Sequence, residues 1–161
     1  MEIKLITTNV TTSGGGVGFK YLGNVEIAKL KPIIFGTTEA PNQPVNFKIN
    51  GKALEVTSND ENYFELFWNN GAIASMSIEG DVNYPVVVTL DASNLNTSQI
   101  TNMFGMFQFN EHLTSINLSN WDTSRVTDMD QVFCNCKSLT ALDLSNFNTS
   151  RATSMAAMFR N

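Results

Sequence analysis

Two hydrophobic rhythms run along this chain, and one gives way to the other near residue 88. The first is alternation. Val45 and Phe47 precede Asn50-Gly51, and Leu54 and Val56 come after it, with polar residues between them. Asn-Gly is the favoured pair for a two-residue type I′ turn, because both positions take positive φ. The pattern predicts a hairpin with Phe47 opposite Leu54 and Val45 opposite Val56, all on one face. Phe64, Leu66 and Trp68 also alternate, as do Ala74, Met76 and Ile78 across Asn69-Asn70-Gly71. These runs predict a second hairpin. In Val25–Phe35 the alternation is weak and Pro32 interrupts it. Two hairpins predict a small β domain of sandwich type, or a sheet packed on the C-terminal half of the chain.

The second rhythm is a repeat. Segments starting at Leu90, Ile116 and Leu142 align without a gap at a spacing of 26 residues. Asn94, Asn120 and Asn146 share a column, as do Met103, Met129 and Met155, and Phe107, Phe133 and Phe159. Ser and Thr columns lie between them. Such spacing marks a solenoid, whose coils bury their apolar sides by stacking on one another. In the second copy, Ile116-Asn-Leu-Ser-Asn predicts a short strand, and stacked copies predict a narrow parallel sheet. Val126, Met129 and Phe133 stand at i, i+3 and i+7, which predicts a short helix. Thr127 or Ser124 would cap it, and Asp128 and Asp130 would suit its positive end. The Asn column is assigned a structural role: buried amides bonded to the turn backbone at the strand end. Leu95, Trp121 and Phe147 read as core, and the methionines as core filler.

The fold expected is therefore mixed. A Thr/Ser/Gly-rich flexible arm (1–24) and a β-rich docking or cap domain (25–87), sandwich-like, precede a right-handed leucine-rich-repeat-like α/β solenoid (88–161). The last coil stops short of an equivalent of Leu139. Further repeats beyond Asn161 are expected to cover it.

Charge removes some functions. Only 16% of residues are charged, the net charge is −5 and the pI is about 4.7. A phosphate-binding surface needs clustered Lys and Arg, so no nucleic-acid partner is expected. The nearest basic column is Arg125 with Arg151, where the first copy has Gln99. No apolar run is long enough to predict a membrane span. The start, Met1-Glu-Ile-Lys-Leu-Ile, lacks the apolar core of a secretory signal.

Candidate chemistry is sparse. Ser13-Gly14-Gly15-Gly16-Val17-Gly18 is not followed by the Lys-Ser/Thr of a phosphate loop. Cys134 and Cys136 are too close for an ordinary disulfide and too few for a closed zinc site. His112 is the only histidine. No catalytic, cofactor-binding or metal residues are assigned, and no cofactor is expected.

Leu142-Asp-Leu-Ser-Asn-Phe-Asn-Thr-Ser-Arg-Ala-Thr-Ser-Met-Ala-Ala-Met-Phe159, with the turn Asn135-Cys136-Lys137-Ser138-Leu139-Thr140, resembles the 26-residue repeat of BspA-like leucine-rich repeat surface proteins. The resemblance covers about residues 88–161. The first copy departs most, with Ala92 for an inward Leu and Leu95 for the aromatic. The resemblance implies a non-enzymatic adhesive or structural protein. Similar repeats in fibre-like bacteriophage proteins extend it to a virion fibre, displayed on a particle. The alternative is a bacterial cell-surface adhesin. Residues 1–87 would dock on a virion or cell-envelope protein. The repeats would bind host-surface proteins or glycans, and homo-oligomers are expected.

Overall fold

Asn50 and Gly51 sit at φ 50° and 77°, the left-handed pair that a tight hairpin between right-twisted strands demands. In the computed structural model this turn joins β4 (Pro44–Ile49) to β5 (Lys52–Thr57), with Phe47 opposite Leu54 and Val45 opposite Val56. The structure describes Leu5–Ile6, Val10–Thr11 and residues 32–68, 72–79 and 86–161. The turn at 69–71, the glycine run at 13–18, residues 25–31 and the rest of the expected arm lie outside the described residues.

Among the described residues nine strands form two sheets. They are β1 (Leu5–Ile6), β2 (Val10–Thr11), β3 (Pro32–Thr38), β4, β5, β6 (Tyr63–Trp68), β7 (Met76–Ile78), β8 (Val87–Asp91) and β9 (Ser115–Asn117). One sheet has the order β1-β6-β3-β8-β9 and the other β2-β5-β4-β7. Phe47 of β4 meets Phe64 of β6 with ring centroids 6.1 Å apart, so the sheets face each other through aromatic packing.

The second expected hairpin does not form. β6 pairs with β3 and β1, whereas β7 pairs with β4 in the other sheet. Asn50 fixes that choice. Its side-chain oxygen accepts from the Ala74 and Ser75 amides at 2.8 and 3.3 Å, and its amide donates to the Ser75 carbonyl at 3.0 Å. The first turn thus draws the approach to β7 onto β4.

The larger correction concerns fold class. The described chain is all-β, with two small sheets and no helix, so the expected α/β solenoid is overturned. The 26-residue coils stack by another route. β8 and β9 pair in parallel with Thr89, Leu90 and Asp91 opposite Ser115, Ile116 and Asn117. Where a helix was expected, the odd-numbered amides leave their own coil. Met103, Gly105, Phe107 and Phe109 donate to Asp128, Asp130, Val132 and Cys134 of the next coil, each at 2.9 Å. Met129, Gln131, Phe133 and Asn135 repeat this toward Ser154, Ala156, Met158 and Arg160. Even-numbered amides close three-residue turns, such as Met106 to Met103 and Cys134 to Gln131. The path needs a left-handed residue in each coil. Gly105, Gln131 and Ala157 supply it at φ 59°, 57° and 52°. A continuous α-helix cannot contain such a residue without breaking its bond ladder.

The apolar interior is continuous from the sheets into the coils. Met103, Met129, Phe107 and Phe133 are all within 2% of complete burial. Their third-copy equivalents Met155 and Phe159 are exposed, because the third coil has no described coil above it. The sheets cover the opposite end. β3 pairs with β8, the Ile73 amide donates to the Asn96 carbonyl at 3.1 Å, and the Ile78 amide donates to the Met106 carbonyl at 3.1 Å.

Candidate interaction surface

Each coil turns its corners with side-chain oxygens that accept from an amide two residues on. Asp91, Asn117 and Asp143 hold the Ser93, Ser119 and Ser145 amides at 2.9, 3.1 and 2.9 Å. Asn96, Asp122 and Asn148 hold Ser98, Ser124 and Ser150 at 3.2, 2.9 and 3.0 Å. Asn102 and Asp128 hold Phe104 and Asp130 at 2.7 and 2.9 Å. These are Asx turns: the short carbonyl side chain replaces a backbone acceptor where the chain bends. Asp128 and Asp130 therefore form corners and rungs rather than a helix start. Asp130 accepts from the Ala156 amide at 2.6 Å and from the Ser154 hydroxyl. Sequence reasoning missed this function, although Asp/Asn-x-Ser recurs at two of the three corners.

The corner acids are tuned by those bonds. Burial pushes the Asp91 carboxyl up, but hydrogen bonds from the Ser93 hydroxyl and amide and from Asn117 together outweigh it and hold Asp91 below its ordinary value. The Ser124 hydroxyl and amide lower Asp122, and the Ser145 amide and hydroxyl lower Asp143. Burial pushes the Cys136 thiol up to about 11, while its Sγ lies 3.1 Å from the Phe107 carbonyl oxygen. Cys136 and Cys134 are buried free thiols.

The Asn column bonds backbone, but from the surface rather than the interior. Asn94 donates to the Pro32 carbonyl at 3.0 Å, Asn120 to Ser93 at 3.1 Å, and Asn146 to Leu118 and Trp121 at 3.1 and 3.0 Å. All three side chains are exposed. For Asn94 the N-terminal sheet stands in for a preceding coil. Leu95 and Trp121 are buried, and the Trp121 indole donates to the Ala92 carbonyl at 2.9 Å. Ala92, small where the repeat favours Leu, is fully buried beneath this column.

The outward face carries polar ladders at the strand-like spacing of about 4.8 Å. Thr127 and Thr153 donate to the carbonyls of Thr101 and Thr127 at 3.3 and 2.9 Å. Arg125 reaches Gln99 at 3.0 Å, and Lys137 pairs with Glu111 at 2.7 Å, each one coil apart. His112 pairs with Glu39, tying the first coil to the end of β3. Among the described residues no group of three or more His, Cys, Asp or Glu converges, and no helix is long and apolar enough to cross a membrane.

Residues 82–161 match a family model described as Mycoplasma protein of unknown function, DUF285. No curated protein and no solved structure matches the chain. The matched segment is the stacked-coil half together with the approach to β8.

Proposed function

We propose that this chain is a non-enzymatic display and adhesion module. Its coils form a stiff scaffold, and their polar outer ladders make weak contacts that many copies multiply. The observation that carries the reading is the hydrogen-bonded stacking of coil on coil, from Met103–Asp128 through Asn135–Arg160. It holds Thr, Arg and Gln side chains in fixed, repeated positions without an enclosed reactive site. Ordered donors and acceptors at one spacing suit glycans or polar protein surfaces. Multivalent presentation supplies avidity that a single shallow contact lacks.

The N-terminal sheets would anchor the module and seal the first coil. In a virion fibre they dock on the particle; in a bacterial adhesin they join the cell envelope. The match to a family described from Mycoplasma favours the cellular setting.

The test is a glycan and cell-surface binding screen with the full chain presented singly and on beads. Binding that rises with valency, and falls when Arg125 and Arg151 are both changed to Ala, supports the proposal. Absence of binding at high valency sinks it. Neighbouring capsid or tail genes would select the virion setting instead of the cellular one.

A further inference from the structure

The open face of the five-stranded sheet holds two registered rows. Glu65, Phe35, Asp91 and Asn117 lie side by side across β6, β3, β8 and β9. Tyr63, Thr37, Thr89 and Ser115 form the row beside them. Phe35 and Tyr63 are half-buried and tilted at 48°, with centroids 6.3 Å apart. Apart from Glu65, which sits at the end of its row beside Phe35, these residues line a shallow groove of about 330 Å³.

Two aromatics, Phe35 and Tyr63, and one charged residue, Asp91, line the groove, and no Lys or Arg does; the Glu65 carboxylate lies next to Tyr63 at the edge. The Asp91 carboxylate is fixed in place: one oxygen accepts from Ser93 and the other from the Asn117 amide group at 3.0 Å. The Tyr63 hydroxyl donates to Glu65 at 2.9 Å, which draws that carboxylate along the rim. Burial and this bond push the Tyr63 hydroxyl up to about 12, so it stays a neutral donor. The Thr37 and Thr89 hydroxyls bond each other at 2.7 Å, leaving the aromatic side of the groove as the apolar part.

We propose that this groove receives an arginine side chain of a partner protein, stacked on Phe35 and Tyr63 between the Glu65 and Asp91 carboxylates. A flat, weakly hydrated guanidinium can lie on an aromatic ring while its edges donate to carboxylates, an arrangement that a compact, strongly hydrated ammonium makes less well. Charge complementarity decides the occupant: an anion or an acidic segment is repelled, and a plain aliphatic side chain neutralises neither carboxylate. The inference stands apart from binding by the coil ladders, because it uses the sheet face.

The test titrates the full chain with N-acetyl-arginine methylamide, followed by amide and aromatic NMR shifts. Saturable shifts confined to Phe35, Thr37, Tyr63, Thr89 and Asp91 are expected. The uncharged citrulline analogue should bind about fivefold more weakly or worse, in line with a lost cation–aromatic contact. Glu65→Gln and Phe35→Leu should each weaken binding by about threefold, and the same spectra report whether each variant is folded. Equal binding of citrulline or of the lysine analogue overturns the proposal. So do shifts spread over unrelated carboxylates such as Asp60, Glu61 and Glu79, or arginine binding that both folded variants retain.

Discussion

The Thr97 hydroxyl serves both backbone groups of Asp122, one coil away. It accepts from the Asp122 amide at 2.8 Å and donates to the Asp122 carbonyl at 3.2 Å. Thr123 makes the same pair of bonds to Asn148, at 2.8 and 3.2 Å. Both threonines are at most 3% exposed, so water cannot replace the hydroxyl. Thr97→Val and Thr123→Val keep the shape and orphan two backbone groups. Each should cost about 1–3 kcal/mol in urea unfolding. Thr149 is exposed in the third coil, so Thr149→Val should stay within about 0.5 kcal/mol of wild type. Equal losses at Thr149 and Thr97 would show that the bridge is not what stabilises the stack.

The left-handed column offers a test with opposite signs. Gln131 takes φ 57° with a side chain, whereas Gly105 takes φ 59° without one. Gln131→Gly should raise stability, since removing Cβ relieves about 1 kcal/mol of left-handed strain and offsets the added chain entropy. Gly105→Ala should lower it by about 1–2 kcal/mol. Its new Cβ also meets the Gln108 side chain at 2.7 Å, which must swing aside. Thermal melts of the two variants should move in opposite directions.

How much of the fold was legible depends on how local the cause is. The hairpin at Asn50-Gly51 is written in two residues, and the register comes with it. The 26-residue stacking is written in the repeat itself. The partner of Tyr63–Trp68 is not, because alternation marks a strand without saying which sheet it joins. Contacts 24 residues apart, from Asn50 to Ala74, decide that. The helix was misread for a physical reason. Val126, Met129 and Phe133 point inward both on a helix and on a ladder of stacked turns. The signals against a helix were Gly105 and the Asx residues, which compete with helical hydrogen bonds. The sheet-face groove left no local trace, since Phe35 and Asp91 meet only through strand pairing.

Gly36 separates close approach from backbone freedom. An added Cβ there would lie 2.0 Å from the Thr89 carbonyl oxygen, which belongs to the neighbouring strand and cannot rotate away. β3 and β8 would have to part, and the groove lined by Phe35 and Thr89 would part with them. Gly36→Ala should cost about 3 kcal/mol, at the upper end for overpacking. At Gly51 a Cβ meets nothing within 4 Å, and only its φ of 77° opposes substitution. Gly51→Ala should therefore cost about 1 kcal/mol. Chemical denaturation of both variants checks the ranking, and a smaller loss at Gly36 would contradict the strand contact.

Acid sensitivity should reside in the corners. Asp91, Asp122 and Asp143 are all held below the ordinary carboxyl value when folded. A depressed folded pKa contributes stability above the unfolded value of about 3.9, and that stability is lost as pH falls through the folded value. Melting temperature should thus be level from about pH 7 to 5 and decline below about pH 4 on this account. Asn96, Asn117 and Asn148 occupy the same kind of corner and accept the same bond without titrating. Changing all three acids to Asn should keep the turns and flatten the acid limb. The corner serines still donate to the amide oxygens, but the charge-assisted part of those bonds is gone at every pH, so stability at neutral pH should fall toward the level the wild type keeps in acid. An acid limb as steep in the triple variant as in wild type would place the sensitivity outside the corners.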